Sequence, residues 1–443
     1  MIKQLPPYRL ALASLALSGF LLLPGCGSSP EAVAPPPPVS AAAATEARAE
    51  VFKQIVATLC EDVMEGRDAG TRGIDIARDY LVYQYAKAGL EPGFVVDGVP
   101  TYTQEFQLAI GRDAEGEIIN APISNIGGIL PGVGELAGEV VIIGAHYDHI
   151  GYGDIGSRAP RRRGEIHPGA DDNASGTAGL VILARHMADF ARANPDTPRR
   201  TILFTSFAGE ERGLHGSRFE TENAESWPFA LEDISGMINM DMIGRLRDDR
   251  LIIYTAETGE QWADWINEAN ATTPEPVNVS IETDAPGGSD HTSFIRVGVP
   301  AVFFFTGLHA EYHTPDDTPE TLNNLGAARV LNVVGATLER TATDPSRVTF
   351  VPPPPRQPRA FIGVMLGETD EPGILLETVI DGGPASEAGL IDGDRVVAIN
   401  GEAVEGFRDL RSVLRAAKPG DEVVLTIDRD GEALEVTVEL GGR

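Results

Sequence analysis

Five short runs restrict this chain more than any other feature: Val140 to Ile143, Thr201 to Phe207, Met237 to Met240, Leu251 to Thr255 and Val299 to Phe305. They are rich in β-branched and aromatic residues, and apolar side chains follow one another instead of alternating with polar ones. A strand with one face in water alternates; a strand apolar on both faces must be covered on both. Helical patterns between the runs supply that cover. Leu180, Leu183, Ala184, Met187 and Ala191 form one buried stripe, and Ile74, Ala77, Leu81, Tyr85 and Ala88 form an earlier one that Gly89 would stop. The pattern predicts an α/β fold, a doubly wound, mostly parallel sheet with helices on both faces. Ligands of such sheets bind beyond the carboxyl ends of the strands.

At 443 residues the chain exceeds one ordinary domain, and its prolines divide it. Pro352 to Pro355 and Pro358 separate a large unit, residues 45–345, from a small one, residues 360–443, with 346–359 as linker. Residues 27–44 are rich in Pro, Ala and Ser and read as a tether. Before them, Lys3 and Arg9 precede an apolar run from Leu10 to Leu23, the charged start and short core of an export signal. The run ends in Leu23-Pro24-Gly25-Cys26, which resembles a bacterial lipoprotein signal over residues 1–26. That resemblance implies lipidation at Cys26, and Gly27 after it implies an outer-membrane anchor facing the periplasm. Cys26 and Cys60 are the only cysteines, so a disulfide framework is excluded. A formal charge of −31 repels phosphate backbones and argues against a nucleic-acid partner.

The chemistry stands at the ends of the runs. After Val140 to Ile143 comes Gly144-Ala145-His146-Tyr147-Asp148-His149, and then Asp171-Asp172-Asn173; after Phe207 comes Ala208-Gly209-Glu210-Glu211; after Met240 comes Asp241; and after Phe305 comes Glu311-Tyr312-His313-Thr314-Pro315-Asp316-Asp317-Thr318. A mixed set of His and carboxylate side chains suits zinc. These segments, with Glu65-Gly66-Arg67-Asp68-Ala69-Gly70-Thr71, Gly213 to Ser217 and Ser289-Asp290-His291, resemble the bacterial zinc aminopeptidase family of co-catalytic dizinc exopeptidases, related to glutamate carboxypeptidases.

The resemblance implies two Zn2+ per chain, other divalent transition metals being possible. His146 and Asp241 would hold one, Glu211 and His313 the other, and Asp172 would bridge them. Glu210 would be the general base that activates a water shared by the metals. Asp148 would accept the second ring N–H of His146, and Tyr312 would donate to the oxyanion. Asp171 reads as a helix cap or loop anchor, His291 as a supporting residue, and His149, His167, His186, His215 and His309 as structural. The implied activity is release of N-terminal residues from peptide substrates. A carboxypeptidase or dipeptidase on the same scaffold is the alternative; a glutaminyl cyclase or a non-catalytic envelope scaffold fits the complete ligand set less well. Four arginines between Arg158 and Arg163 could border the site and receive an acidic substrate group.

In the small unit, Phe361-Ile362-Gly363-Val364, the Gly383 to Leu390 segment and Gly393 to Gly401 resemble bacterial PDZ domains. Turn signals at Asn400-Gly401 and Asp430-Gly431 and a helix from Phe407 to Ala417 fit a small β-rich fold. The resemblance implies that a protein C-terminus adds as a strand beside Phe361, Ile362, Gly363 and Val364, against a helix presenting Leu410, Val413 and Leu414.

Overall fold

The computed structural model describes residues 40–442 apart from 113–115, 284–287, 354–358, 368, 370–371, 405 and 430. The export-signal segment with Cys26, and Asp430 of the second turn signal, lie outside the described residues. Helix α1 (Ala41–Leu59) opens the fold, with the Ser40 hydroxyl accepting the Ala43 N–H at its start. It takes in Ala41 to Ala44, which the sequence pattern places in the tether; a run of alanines behind a capping serine favours helix. Helix α2 (Arg72–Ala88) carries the expected buried stripe and ends at Gly89, whose φ of 85° is the left-handed stop a glycine allows.

The strands β1 (Glu91–Pro92), β2 (Phe94–Val96), β3 (Val99–Thr101), β4 (Thr103–Arg112), β5 (Ile118–Leu130), β6 (Val140–His146), β7 (Thr201–Phe207), β8 (Ile234–Met240), β9 (Arg250–Tyr254), β10 (Asn278–Glu282) and β11 (Ala301–Phe305) follow. β2 and β3 form a separate hairpin, and the other nine build one sheet in the order β1-β5-β7-β6-β8-β11-β9-β10, with β4 on β5. β7, β6, β8 and β11 run parallel through its centre, while β5 and β9 flank them antiparallel. Helices α3 (Gly176–Ala193), α4 (His215–Glu222), α5 (Trp262–Thr272), α6 (His291–Arg296) and α7 (Asn324–Thr343) cover both faces.

The two apolar faces of the central strands go to different cores. Val141, Ile143, Ile202, Phe204, Ile238 and Met240 pack with α1, α2, α3 and α7 in the larger core. Val140, Ile142, Leu203, Phe207 and Met237 point the other way, toward Trp227 and Phe294. Burial of one such side chain contributes about 1.5–3 kcal/mol, so neither face can be left wet. Past α7 the chain stays on this unit: Val348 enters the core and Val351 donates to the Thr258 carbonyl. Beyond residue 346 the segment is thus held to the large unit by one buried side chain, Val348, and by backbone pairing of Thr349 and Val351.

The small unit has its own core around Ile374, Leu376, Val396, Leu425 and Val438. β12 (Ala360–Phe361) pairs β19 (Gly441–Gly442), and β13 (Val364–Gly367), β14 (Ile374–Val379), β15 (Arg395–Ile399), β16 (Glu402–Ala403), β17 (Glu422–Arg429) and β18 (Glu432–Glu439) form an antiparallel sheet with α8 (Pro384–Glu387) and α9 (Phe407–Ala416). Asn400 and Gly401, at φ 52° and 81°, make the two-residue turn from β15 to β16 that their sequence announced. Among the described residues β13 pairs only with β14, so one of its edges is open. Val364 begins that strand, Gly363 has φ 82°, and Ile362 is buried in the core, with its carbonyl accepting the Ala385 N–H. Leu410 is buried in the same core, and Val413 and Leu414 pack against it.

Candidate metal centre

All four parallel strands end on one side, and that common direction gathers the acids and histidines. His146 is the last residue of β6, Asp241 follows β8 directly, and Glu210 and Glu211 stand just past β7. Asp172 comes from the turn ahead of α3, and His313 (φ 58°) from the loop beyond β11.

Asp172 divides its carboxylate between two groups. Oδ1 lies 3.4 Å from His146 Nε2, which is also 3.4 Å from Asp241 Oδ1; Oδ2 lies 3.0 Å from His313 Nε2, which is 2.9 Å from Glu211 Oε2. His146 Nε2, His313 Nε2 and Asp241 Oδ1 are buried without a hydrogen-bond partner. Buried polar atoms that converge unpaired are costly unless a cation completes them. The donor set of two imidazoles and three carboxylates fits zinc. Without a cation the electrostatics are those of an over-acidic pocket. His313 is pushed up to about 11, burial being outweighed by Asp172 and Glu211, and Asp241 and Glu210 raise His146 well above the ordinary imidazole range against its burial.

Glu210 completes a group with His146 and Asp241, its Oε2 4.0 Å from His146 Nε2. Burial, reinforced by Asp241, Asp290 and Glu211 and opposed by His146, holds its carboxyl well above the usual range. Burial and then the charges of Asp172, Glu211, Asp241 and Glu210 likewise keep the Tyr312 phenol protonated, and its ring stacks on His313 with centroids 3.9 Å apart.

Asp148 differs from expectation. His146 Nδ1 stands 3.2 Å from the main-chain oxygen of Asp148 and 3.7 Å from its carboxylate. The carboxylate instead accepts the N–H groups of Glu210 at 3.2 Å and Glu211 at 3.3 Å. It braces the turn that carries the candidate base and a candidate ligand.

Asp171 is a loop anchor: it accepts the Gly244 N–H at 2.7 Å and faces His309 Nε2 at 3.3 Å, while α3 starts without a side-chain cap. His291 is buried against Phe303, and burial brings it down to about 3, a neutral ring. Arg162 is taken up by Glu165 and Asp316 at 2.8 and 2.7 Å, and Arg158 lies over the Tyr312 ring. These two arginines tie their loop to the His313 segment, Arg162 through two exposed carboxylates.

Four supporting residues escaped the sequence reading as such. His149, read there as structural, places Nδ1 2.7 Å from Glu211 Oε1. Ser289 donates to Asp241 Oδ2 at 2.8 Å and itself receives the Asn239 amide. Asp317 accepts the N–H groups of Asp171 and Asp172. Arg67, fully buried, donates to the carbonyls of Leu59, Tyr147, Pro168 and Gly169. All four sit inside quoted motifs, which was the available signal.

Residues 125–338 match the model of Peptidase family M28, and residues 360–440 match that of the PDZ domain. A probable zinc metalloprotease of Pyrenophora teres f. teres (strain 0-1) is 25% identical over 291 residues, 57% of this chain and 56% of that protein. Aminopeptidase YwaD of Bacillus subtilis (strain 168) is 26% identical over 192 residues, 42% of this chain and 37% of that protein. The chain thus spans about half the length, or less, of these curated relatives. The solved aminopeptidase from Aneurinibacillus sp. strain AM-1 shares the fold at a TM-score of 0.50 and 19% identity, over 70% of this chain and 98% of that one.

Proposed function

We propose that this chain, which carries a Peptidase family M28 unit followed by a PDZ domain, is a zinc-dependent aminopeptidase that removes N-terminal residues from peptides. The observation that carries the reading is the split carboxylate of Asp172, one oxygen toward the His146–Asp241 group and the other toward the Glu211–His313 group. His146 and Asp241 would hold one zinc, Glu211 and His313 a second, with Asp172 common to both. Two zinc ions so held supply Lewis-acid polarisation of the scissile carbonyl and make water acidic enough to attack near neutral pH.

The protein's own groups do the rest. Glu210 takes a proton from the attacking water as its oxygen bonds to the carbonyl carbon, then returns it to the amine nitrogen as the C–N bond breaks. Burial of Glu210 keeps that carboxyl basic enough for the exchange. Tyr312, held as a phenol, donates to the oxygen on which negative charge develops. Asp148 keeps Glu210 and Glu211 in register by accepting both their amides.

Outside the centre, the open edge of β13 beside Phe361 to Val364 supports capture of a protein C-terminus. The charged start and apolar run ahead of Cys26 support export, with lipid attachment at Cys26 to the outer membrane. Mass spectrometry of the purified chain's N-terminus would check that.

The activity is tested by mass spectrometry of a peptide pool with free and acetylated N-termini, with wild type, with chelator and with Glu210→Gln. Single-residue loss from free N-termini alone, abolished by chelation and lowered ~10²–10⁴-fold in kcat by the substitution with zinc still bound, is the expected result. Trimming from C-termini would establish the carboxypeptidase reading instead.

A further inference from the structure

Both halves of the centre contain a carboxylate with one oxygen tied to a supporting side chain and the other turned toward the candidate ligands. Asp241 gives Oδ2 to the Ser289 hydroxyl at 2.8 Å and leaves Oδ1 without a partner. Glu211 gives Oε1 to His149 Nδ1 at 2.7 Å and turns Oε2 to His313 Nε2 at 2.9 Å. A carboxylate only accepts, so Nδ1 of His149 carries the proton of that bond.

The setting of His149 is built for this contact. Its ring is fully buried and stands edge-on to His313, with centroids 5.5 Å apart. Its backbone N–H donates to the Arg67 carbonyl at 3.2 Å, and the Arg67 guanidinium donates to the Pro168 and Gly169 carbonyls. Gly169, at φ 56°, leaves the space: a Cβ there would stand 2.4–2.5 Å from two ring carbons of His149. Two loops, 147–149 and 168–169, are therefore pinned by one arginine around one imidazole.

We infer that His149 is a positioning residue for the Glu211–His313 half of the metal centre: by fixing Glu211 Oε1 it presents Oε2 alone to an ion, and so sets the affinity of that half without touching the other. The inference rests on the dizinc reading above. Outer partners that orient a ligand carboxylate or imidazole typically contribute 10–100-fold in metal affinity, because an untethered ligand must be ordered at the moment of binding.

The test is zinc titration of the full-length apoprotein against a chromophoric chelator, for wild type, His149→Ala, His149→Asn and Glu211→Gln, with near-ultraviolet circular dichroism to confirm folding. Asparagine keeps an N–H donor near the position of Nδ1. The expected result is two ions in wild type, one of them weakened ~10–100-fold in His149→Ala and largely restored in His149→Asn. In His149→Ala/Glu211→Gln the loss at that ion should not exceed that of Glu211→Gln alone, since the two changes remove one interaction. Equal weakening of both ions, unchanged binding in His149→Ala, or no difference between Ala and Asn overturns the inference. Should His149→Ala fail to fold, His149→Phe, which fills the space of the ring without an N–H donor, takes its place: two ions bound as tightly as in wild type overturn the inference equally. A wild-type chain that binds no zinc overturns the dizinc reading itself, and with it this inference.

Discussion

Asp172 and His313 meet across 3.0 Å, Oδ2 to Nε2, although 141 positions separate them in the sequence, and the second oxygen of the same carboxylate faces His146 at 3.4 Å. One side chain thus belongs to both groups. Replacing Asp172 with Ala should weaken both zinc ions by more than ~100-fold, beyond the effect of an outer partner. Zinc per chain after dialysis checks this; retention of one full equivalent would contradict the shared position.

Ser289 should act on one ion only. Ser289→Ala frees Asp241 Oδ2 and should weaken zinc at the His146–Asp241 half by ~10–100-fold, while Ser289→Thr, which keeps the hydroxyl, stays near wild type. The same chelator titration reads both values. Its pattern should be the complement of that from His149→Ala.

Arg67 is predicted to matter for stability before chemistry. Its guanidinium serves four carbonyls; that of Gly169 also accepts the Ala174 N–H and that of Pro168 the Cys60 thiol, so Arg67→Met costs chiefly the bonds to Leu59 and Tyr147. Buried acceptors left unpaired cost ~1–3 kcal/mol each, so a loss of at least ~2 kcal/mol is expected. All three tryptophans, Trp227, Trp262 and Trp265, lie in the large unit, so urea unfolding followed by their fluorescence reports that unit. A midpoint unchanged from wild type would refute the assignment.

Glu220 gives a pH dependence away from the metals. Fully buried, with Thr205 and Trp227 donating to it, it is pushed up from 4.5 to about 8 by burial. Its folded-state value lies above the unfolded one, so the folded state binds the extra proton between them. The contribution is therefore complete below about 4.5 and is lost as pH rises through about 8. Glu220→Gln, which can still accept from Trp227 and donate to Thr205, should flatten the decline in stability from pH 5 to 8. Thermal melts across that range check it; parallel wild-type and variant slopes would exclude Glu220 as the source.

The residues that converge at the centre were legible because they follow strands whose type the sequence declares: His146 closes β6 and Asp241 follows β8 without an intervening residue. Motif resemblance supplied their pairing. The supporting contacts were not legible. His149 reaches Glu211 across 62 positions and Asp317 reaches Asp172 across 145, and no local periodicity connects such pairs. Asp148 shows the limit within a motif: it lies two residues from His146, yet its carboxylate turns to the Glu210–Glu211 amides.

What the sequence by itself determined is the class of each element and the identity of the groups at its end. Strand runs apolar on both faces require a covered sheet, alanine-rich stripes with caps require helices, and Asn400-Gly401 requires its turn, all from short-range sterics and burial. Only the tertiary structure decided which oxygen of each carboxylate is free. That choice depends on hydrogen bonds from Ser289 and His149, brought in by other loops, and a carboxylate's two oxygens are chemically identical until a neighbour distinguishes them.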